Sequence, residues 1–68
     1  MMDTVFAPTL QFEYKNYKGD ISNRIVIPYE IWFGSTKYHK EEQYLLHAYD
    51  IEKCAERNFA LRDIIKFL

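Results

Sequence analysis

Thr9-Leu10-Gln11-Phe12-Glu13-Tyr14-Lys15 alternates without a break, with Leu10, Phe12 and Tyr14 on one parity and Thr9, Gln11, Glu13 and Lys15 on the other. Successive side chains of a strand point to opposite faces, so this is the pattern of a half-buried β-strand. The five residues that follow, Asn16-Tyr17-Lys18-Gly19-Asp20, include types that tolerate a positive φ and read as a hairpin loop. Beyond them Ser22 to Ile27 is rich in β-branched residues and is expected to halt at Pro28, which has no N–H to give to a central ladder. The fold therefore starts as an antiparallel hairpin.

Outward from that hairpin the β character continues. Ile31-Trp32-Phe33 reads as a short further strand, and Gly34-Ser35-Thr36 opens a polar loop that runs to about Glu42. Tyr44-Leu45-Leu46-His47-Ala48-Tyr49 is apolar on both parities, the pattern of a strand in the middle of a sheet. Asp50 to Ala55 reads as a turn, and Arg57, Phe59 and Leu61 share one face of the next strand. The period then changes: Leu61, Ile64, Ile65 and Leu68 lie at i, i+3, i+4 and i+7, which predicts a short C-terminal helical turn closing one end of the molecule. Four or five short antiparallel strands favour a mainly β, SH3-like (Sm-like) barrel, because closure removes the exposed edges. An open sheet with one packed helix is the alternative.

The totals agree with one small domain. A chain of 68 residues buries only about 60% of its unfolded surface. One Trp, six Tyr and five Phe compensate, since each buries roughly 150–250 Å² when packed. The organisation expected is an N-terminal extension over residues 1–8 followed by a single domain over 9–68. Nine Lys and Arg against ten Asp and Glu leave a net charge of −1, so any anion site must be local. Cys54 is the only cysteine, which excludes an intramolecular disulfide and fits a reducing, cytoplasmic setting. No basic run leads into an apolar stretch at the start, and no segment approaches 18 consecutive apolar residues, so neither secretion nor membrane association is expected.

The order of features from Leu10 onward resembles the WYL domain family. Its pattern is an aromatic-rich first strand, a Gly turn, a basic strand ending in proline, a Trp-Tyr-Leu strand and an Arg-x-Phe strand. Here these read Leu10-Gln11-Phe12-Glu13-Tyr14, Lys18-Gly19-Asp20, Ser22-Asn23-Arg24-Ile25-Val26-Ile27-Pro28, Gln43-Tyr44-Leu45-Leu46 and Arg57-Asn58-Phe59. Gln43 stands where the family has its name-giving Trp. The resemblance implies an SH3-like barrel and a non-catalytic module that senses a single-stranded nucleic acid or nucleotide in transcription regulation.

Arg24 and Arg57 are the first candidate binding residues, because a guanidinium offers a planar fork of donors to phosphate or carboxylate. The plain structural alternative is an ion pair for each, for instance Arg57 with Asp50 or Glu56. Arg62 could extend an anion-binding surface, and Tyr44, Tyr49 and Tyr38 could stack bases, Tyr38 above all because it lies in the polar loop. His39, His47 and Cys54 lack the paired spacing of a zinc site, so no metal or cofactor is expected. Ser35, Cys54 and the histidines show no nucleophile–base arrangement, and two glycines make no phosphate loop, so catalysis is not expected. The rival reading is a protein–protein contact, with a homodimer or a larger regulatory protein, through an apolar patch of Ile31, Trp32, Phe33 and Phe67.

Overall fold

The computed structural model describes residues 8–68. They form five strands in one antiparallel sheet: β1 (Leu10–Lys15), β2 (Ile21–Gly34), β3 (Gln43–Asp50), β4 (Ala55–Ala60) and β5 (Ile64–Phe67), in the spatial order β4-β3-β2-β1-β5. The fold is mainly β, and its helical content is a single 3₁₀ turn, Leu61–Asp63, between β4 and β5. Of the expected extension over residues 1–8, all but Pro8 lies outside the described residues.

The first hairpin forms as its sequence dictates. Phe12 and Tyr14 point into the core while Gln11 and Lys15 face solvent. Asn16 ties the loop together: its Oδ1 accepts from the Lys18 and Asp20 amides at 2.9 Å each, and its carbonyl accepts from Gly19 N–H. Gly19 has φ +89, a conformation that costs a residue with a Cβ.

Three expectations about the strands need correction. Pro28 does not end a strand, because β2, 14 residues long from Ile21, continues past it to Gly34. The β1 ladder stops at Leu10↔Val26, so Pro28 faces only β3 among the described strands and no donor is missed. A bulge between Pro28 and Glu30 then bends the strand. Second, β2, not β3, is the middle of the sheet; β3 is an interior neighbour. Third, the helical stripe from Leu61 to Leu68 ends after one 3₁₀ turn, and Ile64–Phe67 pairs with β1 through Phe12↔Phe67 and Tyr14↔Ile64.

That last strand shapes the molecule. β4 and β5 sit at opposite edges of the sheet, yet only three residues connect them. Flat strands about 4.8 Å apart would separate those edges by roughly 19 Å. A 3₁₀ turn rising about 2 Å per residue cannot span that, so the sheet rolls. The rings record the same curl: Phe59 of β4 meets Phe12 and Tyr14 of β1 edge-to-face, with centroids 5.3 and 5.0 Å apart. Phe12, Tyr14, Val26, Leu46, Ala48 and Phe59 form the core inside this roll. No ladder joins β4 to β5, so the sheet is not closed into a hydrogen-bonded barrel.

The opposite face of β3 carries a second buried set. Leu45 lies between Trp32 and Ala60, and Trp32 Nε1–H donates to Asn58 Oδ1 at 2.9 Å. Trp32 is thereby turned away from Ile31 and Phe33, which remain exposed on the other parity. The four-residue apolar patch expected from sequence does not assemble as such.

Candidate functional site

The rolled sheet leaves a cleft of about 480 Å³ at one end, bounded by the tip of the β1–β2 hairpin, the β2–β3 loop and the start of β4. Arg24, Arg57, Tyr38 and Tyr17 line it, and Tyr14 and Phe59 form its apolar base.

Arg24 projects from β2 onto the core side because it shares parity with Val26 and pairs with Phe12. Its guanidinium lies 5.9 Å from the ring centres of both Tyr14 and Phe59. One ion pair holds it, Nη1 to Asp50 Oδ2 at 3.4 Å, a long contact for a charge-assisted bond. Only 9% of Arg24 is exposed, and its buried Nε has no partner among the described residues. A guanidinium carries five donors, and among the described residues this one uses one of them.

Arg57, two residues before Phe59 on the same parity of β4, is exposed and has no ion pair among the described residues. Its two sequence-suggested partners are engaged elsewhere: Asp50 with Arg24, and Glu56 with His47 at 3.2 Å. Both arginines therefore face the same cleft, one buried with one of its five donors engaged, the other without an ion pair among the described residues.

Tyr14 supports the floor. Its hydroxyl accepts the Ala60 N–H at 2.9 Å. Burial pushes its pKa above the ordinary tyrosine value; the Ala60 hydrogen bond opposes this, Asp63 adds to it, and Arg24 and Arg57 oppose it. The phenol stays neutral throughout the physiological range.

The loop wall is built by Thr36. Its Oγ1 accepts from the amides of Tyr38 and His39, and its own N–H donates to the His39 carbonyl at 2.8 Å. His39 Nε2 then donates to the Asn58 carbonyl at 3.2 Å, since a carbonyl can only accept. That contact lays the loop against β4 and presents Tyr38, 72% exposed, at the rim. Tyr17, 77% exposed at the tip of the other hairpin, lines the same cleft.

The remaining sequence candidates lie elsewhere. Arg62 borders a second, shallower depression beside the cleft and pairs with Glu41 at 3.2 Å on the surface. Tyr44 stacks edge-to-face on Phe33 at 5.0 Å, away from the cleft. Tyr49 is half-buried opposite Ile27 and Glu56 and lines neither depression. Sequence reasoning passed over Tyr17, His39 and Asn58 as cleft residues. For Tyr17 the available signal was an aromatic inside the Asn16–Gly19 turn, where packing gives no reason for one.

Among the described residues no cluster of His, Cys, Asp and Glu could hold a metal ion, and no helix is long and apolar enough to cross a membrane. Compared with protein-family models, curated proteins and solved structures, the chain matches none.

Proposed function

We propose that this chain is a non-catalytic binding module of SH3-like barrel type that recognises a single-stranded nucleic acid or nucleotide in a regulatory, ligand-sensing role within the cytoplasm. The observation that carries this reading is Arg24, a residue nine-tenths buried at the cleft whose guanidinium has a single partner among the described residues. Buried donors are normally satisfied, and a phosphate oxygen is the acceptor that suits a planar fork. Arg57 adds a positive charge with no ion pair among the described residues, and the two exposed tyrosines supply stacking faces. The rolled β4–β5 connection and the ordered Arg24 and Arg57-x-Phe59 elements support the WYL-like reading on which the sensing role rests.

Fluorescence anisotropy with short labelled single-stranded DNA and RNA tests it. Micromolar or tighter binding that weakens as salt rises is expected, because phosphate contacts release counterions. Absence of binding at micromolar protein in low salt would reject it.

A second reading, contact with another protein or a second copy, rests on Ile31, Phe33 and Tyr44, three large apolar side chains exposed on one parity of β2 and β3. Sedimentation would show a concentration-dependent mass that is indifferent to salt.

A further inference from the structure

We infer that the ligand is a strand of at least two consecutive nucleotides, one seated in the cleft beside Arg24 and Arg57, the next base in the depression beside Arg62. This rests on the reading above and narrows it, since a lone nucleotide would fill only half of the site. The two depressions, about 480 and 330 Å³, share Tyr17, Tyr38 and His39, so they are contiguous across a rim of aromatic rings. Each is of a size to take one nucleotide unit. Tyr17 and Tyr38 come from different loops and are both more than two-thirds exposed, which leaves their faces available to bases that pass over the rim.

The two depressions differ in how far their cationic donors are engaged, and the difference assigns their roles. In the cleft Asp50 holds Arg24 through Nη1 alone and Arg57 has no ion pair among the described residues, so both guanidiniums keep donors for a phosphate. This is the phosphate end. In the depression Lys40 and Arg62 are matched by Glu41 and Asp63, so a neutral base suits it better than a phosphate. Gln43 lies in this depression with its Nε2–H donating to the Glu41 carbonyl and its buried Oε1 without a partner. The ring N3–H of a uracil is the kind of donor that Oε1 lacks. The Arg62–Glu41 pair is largely exposed at both ends, so both groups can exchange partners at little cost.

The test is isothermal titration of the full chain in low salt with uridine monophosphate, the dinucleotide UpU and the tetranucleotide. UpU is expected to bind about tenfold more tightly than the mononucleotide, the scale of one added base stack. Arg62→Ala and Tyr38→Ala are each expected to remove most of that gain while circular dichroism shows the sheet intact. Equal affinity for UMP and UpU, or a gain that survives both substitutions, would overturn the two-unit site and leave the cleft reading standing. No binding of any of the three would instead remove the reading beneath it.

Discussion

Arg24 and Asp50 are joined across β2 and β3 by one contact, Nη1 to Oδ2 at 3.4 Å, and Asp50 is fully buried. Asp50 serves twice, because its Oδ1 also accepts from the Glu52 and Lys53 amides and so starts the turn into β4. Removing it leaves a buried cation unpaired, which costs about 3–5 kcal/mol. A domain of this length has only about 3–10 kcal/mol in total, at roughly 0.05–0.15 per residue. Asp50→Ala is therefore expected to unfold the domain or bring it near its midpoint in buffer. Asp50→Asn, which keeps the turn acceptor, should lose less. Urea unfolding followed by Trp32 fluorescence checks this, and an Asp50→Ala midpoint equivalent to less than about 1 kcal/mol of loss would refute the pairing as the anchor of Arg24.

Arg57 provides the contrasting case. It has no ion pair among the described residues, so Arg57→Ala should change stability by less than about 0.5 kcal/mol. Affinity for single-stranded oligonucleotide should fall about tenfold or more, with a shallower salt dependence. A large loss of stability with unchanged affinity would make Arg57 structural.

Tyr14 contributes to the loss of stability at alkaline pH. Its pKa in the fold lies above the unfolded value of 10.0, because burial disfavours the phenolate. The folded state therefore holds the proton longer than the unfolded chain does, and the stability this gives is full below about pH 10 and is lost as pH rises through the folded value. Tyr14→Phe should remove this component of the alkaline loss. The same change strips the Ala60 amide of its acceptor, so neutral-pH stability should drop by about 1–3 kcal/mol. Unfolding midpoints at pH 7, 9 and 11 for both proteins separate the two effects.

Gly34 lies flat beneath the indole of Trp32, and a Cβ there would run into the six-membered ring. Gly34→Ala should displace Trp32 and weaken its bond to Asn58, costing about 1–3 kcal/mol. A shift in Trp fluorescence emission should accompany the loss; unchanged emission and stability would show that the ring moves freely.

Where each part of the molecule could be read from sequence follows from how local its cause is. β1 and its hairpin were legible because Phe12 and Tyr14 alternate with polar residues and Asn16 and Gly19 form the turn themselves. β5 was not. Four residues are too few to fix a period, and Ile64 and Ile65 fit a helix as well as a strand until β1, some fifty residues away, supplies the partner. Pro28 misled for a related reason, since the absence of a strand beside it is a property of where β1 begins. Arg24 and Arg57 were found by residue type, but their meeting in one cleft depends on the roll of the sheet. Gln43 is buried at the start of β3, so a polar side chain occupies an interior position there, which its residue type alone would not suggest.

The three-residue link between β4 and β5 also governs how the protein comes apart. In an ordinary open sheet either edge strand can fray alone, and its amides exchange with solvent before the interior does. Here the two edges are neighbours along the chain, and the Tyr14 hydroxyl holds the last amide of β4 to β1, the strand on which β5 rests. Peeling one edge pulls on the other. Amides of β4 and β5 should accordingly exchange with a common opening free energy close to that of global unfolding, so that this small sheet behaves as one cooperative unit.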